Sequence, residues 1–458
     1  MLWEEHNGIL RPYMRNGRGI SAQKFGYAAV EASNRRRAPL AVTRSEDDEL
    51  PTAGRRKLIA TSRDLLRNFS IAGWAVRQHL NYVATVSFQS RTGDTDFDRR
   101  LEDLFLWWSA PERCDIAGRH SLQSLLWLAE TARVVDGDIL ILRTISGQLQ
   151  LIEADRIFSP KVEGEKGRNI VGGVEVDEYG RALRYAVHRR LPGGGFAFEK
   201  WVDADNAKLL GYYDRVDQVR GVSRLASVVN TLVDLYEGID YAVAKAKIAQ
   251  LFGLVTYRDA RESGFATEEV GGSDGPRYEV KFGRGPFYLD LLDGDRAEIL
   301  ESKTPPAEFQ EFCRQLICIV LKALDIPFSF YDESHTNYSG ARQALLQYQQ
   351  GLAQKREALL QLLDWITVWK ISQWISAGIL RLPKGVGRIT DIAWEWIPMG
   401  MPWIDPLREI QADTMAIEAG LRSRSQILRE RGGDFFATAD QLAVEEEYLR
   451  ERKDAVSQ

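Results

Sequence analysis

The residues of this chain that could do chemistry are few and scattered. Its five histidines, His6, His79, His120, His188 and His335, fall in no HExxH or HxH spacing and beside no cysteine pair. Neither a zinc-binding helix nor a Cys/His cluster is therefore encoded. Cys114, Cys313 and Cys318 are an odd number with no CxxC. That predicts small core side chains in a reducing compartment, with no disulfide framework. Neither a G-x-S-x-G elbow nor a G-x-x-x-x-G-K-[ST] loop is present. Carboxylate pairs remain, Asp234 with Glu237 and Asp332 with Glu333. Such pairs suit general acid–base hydrolysis by a glycosidase or nuclease, but a solvated helix face and an ordinary loop produce them far more often. The sequence predicts no catalytic residue, no metal and no cofactor.

The remaining chemistry, cationic and polar, concentrates between Gln218 and Gln350. Residues 222–251 read as a helix with the apolar stripe Leu225, Val228, Leu232, Leu235, Ile239, Ala242, Ala246 and Ala249. Spacings alternating three and four give a 3.5-residue period, which keeps one face on a packing partner. The taper from leucine to alanine predicts close convergence of helices at one end. Lys245 and Lys247 ride on this helix. A glycine-rich insert, 253–303, follows, with strands expected at Tyr278–Phe282 and Phe287–Leu292. A second helix, 304–325, opens at Thr304-Pro305 and carries Arg314 and Lys322. On one chain these four cations are ordinary surface charges; repeated around a ring, each becomes a belt. A polar loop, Tyr331–Gly340, contains Ser334, His335, Thr336, Asn337, Tyr338 and Ser339. A helix from about Ala341 to Ser376 then runs roughly 50 Å at 1.5 Å per residue, with Gly378 as its stop.

At 458 residues the chain exceeds one small domain, and ~150 residues per domain gives about three. Hydrophobic residues are 44%, charged residues 27% and the net charge −5. These values support buried cores and announce neither a basic nucleic-acid binder nor an acidic tail. No apolar run of about 18 residues occurs, so no membrane span is expected. Glu4 and Glu5 stand where a signal peptide would be apolar. Residues 1–49 read as a basic arm, with eight Lys or Arg against one acid in residues 6–45. Residues 50–217 read as an α+β body. A helical pattern runs from Leu50 to Thr85, with further helices through Phe105–Trp108 and Leu122–Ala129, their tryptophans serving as core. Hairpins follow around Ser146-Gly147 and Glu178–Arg181, the second joining strands Val171–Val176 and Ala182–Val187, and Phe196–Val202 adds a strand to an antiparallel sheet. Residues 379–404 look like a Pro/Gly linker. Residues 405–458 look like short helices opened by Asp405-Pro406 and broken at Gly420 and Gly432-Gly433.

Taken in order, these segments resemble the lambda-like family of tailed-bacteriophage portal proteins. The likeness is carried by Tyr27–Ala32 with Arg35-Arg36-Arg37, Arg63–Asn68, Leu151–Ile157, and Gln218–Val222 running on to Lys245–Ala249. Asn337–Arg342, Asp405–Glu409, Gly420-Leu421 and Arg429–Asp434 continue it. Order and spacing over most of the chain carry more weight than any one motif; the insert 253–303 matches least.

The resemblance implies a portal fold: an α/β wing (50–217) with an antiparallel sheet, a two-helix stem (222–251 and 304–325) and a small β-containing clip (253–303). A tunnel loop (326–340), a long wing helix with its linker (341–404) and a helical C-terminal crown (405–458) complete it. It implies a homo-oligomeric ring, usually of twelve copies, at one capsid vertex of the virion, assembled in the host cytoplasm. Double-stranded DNA would be packaged and ejected through the ring without sequence reading. The partners implied are the terminase large subunit, a head–tail connector and the major capsid or scaffolding protein, with no membrane. The loop residues 334–339 would meet DNA, Lys245, Lys247, Arg314 and Lys322 would face the channel, and Leu232, Leu235, Ile239, Ala242, Ala246 and Ala249 would form the stem seam. A carboxylate hydrolase, or another virion structural or neck protein, is the alternative. Subunit number is written in no motif.

Overall fold

The computed structural model describes residues 3–6, 9–12, 43–160, 168–251, 254–257, 296–299, 307–332, 334, 337–383, 385–400 and 405–456. Two compact units are present, 1–49 and 50–458. In the first, β1 (Trp3–His6) pairs antiparallel with β2 (Ile9–Pro12), and α1 (Glu46–Glu49) makes one turn. This hairpin was not expected in the basic arm. Its register pairs Trp3 with Pro12 and His6 with Ile9.

The second unit begins with α2 (Thr52–Asn68) and α3 (Ser70–Val83). The helical pattern expected from Leu50 to Thr85 is thus broken. Phe69 takes extended angles (φ −118°, ψ 108°) to bury its ring, while its N–H still closes α2 on Leu65. After β3 (Val86–Ser90), α4 (Thr95–Trp108) starts on an Asp94 cap. It buries Phe97, Leu101, Leu104, Phe105 and Trp108, an i, i+4, i+7, i+8, i+11 stripe. A short α5 (Pro111–Cys114) leads to α6 (Leu122–Val135), capped by Ser121.

Next, β4 (Asp138–Arg143) and β5 (Leu149–Glu153) form the expected hairpin, with Gly147 at φ 86° in its turn. The strand expected at Val171–Val176 is split into β6 (Ile170–Val171) and β7 (Val174–Val176). Gly172 and Gly173 both have positive φ, and a Cβ on Gly173 would lie 2.5 Å from the Phe158 nitrogen. Only glycine fits there. β8 (Ala182–Arg190) and β9 (Phe196–Asp203) complete the antiparallel order β6-β7-β8-β9. A strand missed from sequence, β10 (Ala207–Gly211), completes the order β10-β4-β5. Strand β4 separates two cores. Ile139 and Ile141 face the helices, while Leu140 and Leu142 join the cluster with Val174, Tyr185 and Val187, as a period of two requires.

The helical pair α7 (Val229–Leu251) and α8 (Ala307–Lys322) brackets a two-stranded ladder, β11 (Leu254–Tyr257) with β12 (Arg296–Ile299). The strands expected at Tyr278–Phe282 and Phe287–Leu292, and the helix start at Thr304-Pro305, lie outside the described residues. Helix α9 (Tyr338–Ser376) has 39 residues, about 58 Å at 1.5 Å each, and ends before Gly378 at φ 71°. The stretch read as linker contains β13 (Trp394–Pro398), which pairs with β3. Trp396 is anchored there, its Nε1 donating to Thr367 Oγ1 at 3.0 Å.

The C-terminal helices are α10 (Pro406–Glu418), α11 (Arg424–Glu430) and α12 (Phe435–Val456). Asp405 caps the first and a Ser423/Gln426 capping box opens the second. They break at Gly420 and Gly432 as expected, both at positive φ, although α12 spans 22 residues and is not short. Arg91, just after β3, ties their base to the β3–β13 pair, at 2.7 Å from Glu395 and 3.3 Å from Asp434. The fold is α+β with antiparallel sheets. Cys114 is fully buried, whereas Cys313 and Cys318 are only half-buried, so the expectation of three core thiols holds for one.

Candidate channel-forming segment

The segment entering α7 is locked to the start of β4 by a buried ion pair. The Arg220 guanidinium donates to both Asp138 oxygens at 2.7 and 2.8 Å. It also donates to the carbonyls of Ile157, Gly172 and Ala154 at 2.7, 2.5 and 3.2 Å. All five of its N–H donors are thereby used. Asp138 further accepts from the Gly221 N–H at 2.9 Å. Gly137 (φ 103°) and Gly221 approach closely: a Cβ on Gly137 would lie 2.7 Å from the Gly221 oxygen, and one on Gly221 would overlap the Gly137 carbonyl. Arg55 donates to the Gly221 carbonyl.

These contacts correct the expected helix start at Val222. The Arg224 N–H and Ser223 hydroxyl bond to the Val134 carbonyl at 3.1 and 3.0 Å, so 224–228 form turns and α7 begins at Val229. Leu225 and Val228, the head of the stripe, lie in the larger hydrophobic core.

Along α7 the stripe divides. Leu232 and Leu235 are fully buried within the chain, so they cannot face a neighbour. Ile239, Ala242 and Ala246 are half-buried, and the side chain of Ala249 lies outside the described residues. Gly238 admits the Phe309 ring of α8, whose Cε2 would lie 3.9 Å from a Cβ at 238. A different apolar set faces outward: Tyr241 at 70%, Phe312 at 55% and Ile319 at 52% exposed. Phe312 and Ile319 are seven apart, hence on one face of α8. Lys245, Lys247 and Lys322 are exposed. Arg314 is half-buried, with its guanidinium 5.0 Å from the Phe328 ring centroid, so its aromatic contact is as prominent as its charge.

Helix α8 ends with Asp325 at φ 54°, and the Ile326 N–H closes on the Leu321 carbonyl at 3.0 Å. Beyond Pro327 a 3-10 turn, Phe328–Phe330, leads into aromatic contacts with α3 and α9. Tyr331 stacks edgewise on Trp74 at 5.7 Å, and Phe330 and Tyr82 both contact Tyr348, each at 5.4 Å. The Lys355 ammonium of α9 donates to the Leu324 carbonyl at 2.5 Å and pairs with Asp325 at 3.3 Å. Burial pushes its pKa down, with Asp325 opposing the shift. Arg133 bonds the Lys355 carbonyl at 2.8 Å.

Of the expected loop residues, Ser334 is exposed and bonds Asp332 at 2.5 Å. His335 and Thr336 lie outside the described residues. Asn337 caps α9, accepting from the Gly340 N–H at 2.7 Å. Tyr338 and Ser339 belong to the first turn of α9 and not to the loop. Sequence reading missed Arg220–Asp138, Lys355 and the Phe328–Tyr331 anchor. Arg220-Gly221 and Pro327 were their only local signals.

The carboxylates weighed for hydrolysis stay apart from any such site: Asp234 and Glu237 lie exposed on α7, and Glu333 lies outside the described residues. Among the described residues no group of three His, Cys, Asp or Glu could hold a metal, and no helix is long and apolar enough to cross a membrane.

A model of the family described as phage portal protein, lambda family, matches residues 33–356, and the chain belongs to that family. A probable portal protein of Halomonas phage phiHAP-1 is 26% identical over 368 residues, covering 74% of this chain and 68% of the relative. Portal protein B of Escherichia phage lambda is 20% identical over 448 residues, covering 82% and 80%. Among solved structures, a chain from the neck of an empty GTA particle computed with C6 symmetry covers 82% of this chain and 94% of its own. Its TM-score is 0.46 and its identity 15%.

Proposed function

We propose that copies of this chain close into a ring at one capsid vertex, with α7, α8 and the loop before α9 around its bore. Double-stranded DNA passes through that bore during packaging by a separate terminase and again at ejection. The observation that carries the ring is the exposure of Tyr241 on α7 and of Phe312 and Ile319, seven apart on α8, on a helical pair that also buries Leu232, Leu235, Ile317, Val320 and Leu321 within the chain. A head-to-tail interface whose rotation closes would cover the exposed three. Membership of the portal family supports the same reading.

The ring acts structurally. Terminase and the head–tail connector dock at the clip, capsid or scaffolding protein contacts the body, and the assembled ring belongs to the virion. DNA must be held without sticking. Each neutralised phosphate adds about 0.9 to the magnitude of the log–log salt slope, so a continuous basic lining would brake the duplex. Exposed Lys245, Lys247 and Lys322 on the helical pair, with exposed polar Ser334 on the loop, provide a few such contacts.

Replacing Phe312 with Glu tests the ring. Light scattering should give monomers where the wild-type chain gives a single large species. Rings of normal mass from Phe312→Glu would remove α8 from the interface. For DNA passage, replacing Ser334–Thr336 by Asp should spare assembly and reduce DNA retained per particle. Unchanged retention would remove the loop from the bore.

A further inference from the structure

We infer that residues 405–456 form a lever released by ionic strength, held in place by an ion-pair network of Arg91, Glu395, Arg429 and Asp434. Ring closure is neither required for this lever nor removed by it. Between residues 405 and 452 only Asp434 is buried, and no described residue of α10, α11 or α12 belongs to either apolar core. Apolar burial therefore gives these helices little hold on the rest of the fold.

Charge spans the joint instead. Arg91 lies 2.7 Å from Glu395 and 3.3 Å from Asp434, and Arg429 reaches Glu395 at 3.2 Å. Each side of the joint thus supplies one cation and one carboxylate. The Arg91 N–H is fixed to the Ala393 carbonyl at 2.8 Å, and Asp434 accepts from the Ala437 N–H at the start of α12 at 2.9 Å. Burial pushes the pKa of Glu102 up, and the charges of Asp98 and Asp434 add to the shift. Without Arg91, Asp434 and Glu102 would repel with less to offset them. Arg91, Glu395 and Arg429 are 22%, 30% and 41% exposed, so dissolved ions reach them. A network this open is weak and is screened by salt.

The joint itself is backbone against backbone. Met399 donates to the Thr85 carbonyl at 2.9 Å. A Cβ on Gly400 would lie 2.2 Å from the Arg431 carbonyl carbon, and one on Gly432 would lie 2.6 Å from the Gly400 nitrogen. Two bare glycines can turn on each other where interlocked side chains could not. Room for the turn exists beside α9, in a groove of about 370 Å³ lined by Leu345, Leu346 and Gln349 of α9 and by Ala412, Asp413 and Ala416 of α10.

Spin-label distance measurements on the full chain test this. Labels go on Gln354→Cys of α9 and Asp440→Cys of α12, both exposed. Cys313→Ser and Cys318→Ser remove competing thiols, and labelled copies are diluted among unlabelled ones. Raising sodium chloride from about 0.1 M to about 1 M cuts the Debye length from about 10 Å to about 3 Å. The ratio of a longer distance to the docked one should then rise at least about 10-fold. Arg91→Met should show the longer distance already at the lower salt, and Glu395→Gln should move the transition to lower salt. One unchanged distance at both salts would overturn the inference. So would a salt response that Glu395→Gln leaves unaltered, or one accompanied by faster hydrogen exchange throughout α9, because the core and not the joint would then be loosening.

Discussion

Replacing Asp138 with Asn should be among the most damaging single changes outside the apolar core. The Arg220 and Asp138 side chains are 1% and 0% exposed, so neither charge has water to fall back on. Asparagine has nearly the same shape but lacks the charge, and it presents two N–H donors where Arg220 also donates. With the amide nitrogen in place of Oδ1 the 2.8 Å guanidinium contact is lost; in place of Oδ2, both the 2.7 Å guanidinium contact and the 2.9 Å Gly221 N–H contact are lost. Removing one partner of a buried ion pair costs about 3–5 kcal/mol. The carbonyls of Ile157, Gly172 and Ala154 still solvate the guanidinium, which puts the expectation near the lower end, about 3 kcal/mol. Because Asp138 opens β4 and Arg220 leads toward α7, exchange should accelerate at 218–228 before the helical core opens. Denaturant melts followed by tryptophan fluorescence give the first quantity and hydrogen exchange the second. A loss below about 1 kcal/mol would show that the pair does not anchor the segment entering α7.

Three further changes probe other parts of the account. Ala246→Trp on the half-buried side of α7 should block ring closure by overpacking, typically about 1–3 kcal/mol per contact; rings of normal number and stability would remove Ala246 from the seam. Gly351 lies inside α9, and a Cβ there meets no atom within 4 Å. Gly351→Ala should therefore raise the unfolding free energy of the dissociated subunit by about 0.5–1 kcal/mol, and destabilisation would contradict the open space at that position. Lys370 sits among Trp108, Trp369 and Trp374, its Nζ 4.9–5.2 Å from their rings, and burial pushes its pKa down to about 8. Between that value and the unfolded one near ~10.4, the unfolded chain holds more protons, so this group makes stability rise with pH across that window. Lys370→Met should stabilise by about 1–2 kcal/mol at pH 7, with the difference from wild type shrinking by pH 10.5. A difference constant across that range would refute the assignment.

Much of the fold was legible because local chemistry specified it. Ser146-Gly147 set a hairpin, Asp405-Pro406 set a helix start, and apolar periodicity gave α4, α6, α8 and most of α9. The failures share a cause in long-range contact. The stripe from Leu225 promised helix from Val222, but the Val134 carbonyl and the Asp138 carboxylate capture the polar groups of 221–224. Strand β13 hides in a Pro/Gly stretch because its partner β3 lies some three hundred residues earlier. At the candidate channel, charges on α7 and α8 could be named from sequence. Which apolar residues stay uncovered could not, since Leu232 and Phe312 look alike in a list of helix positions and only packing separates buried from exposed.

Imaging the purified chain by electron microscopy, with mass measured in the same preparation, tests the central claim most directly. The account predicts closed rings of one subunit number, each with an open central channel wide enough for duplex DNA. A stable monomer at every concentration, or open filaments without a bore, would contradict it.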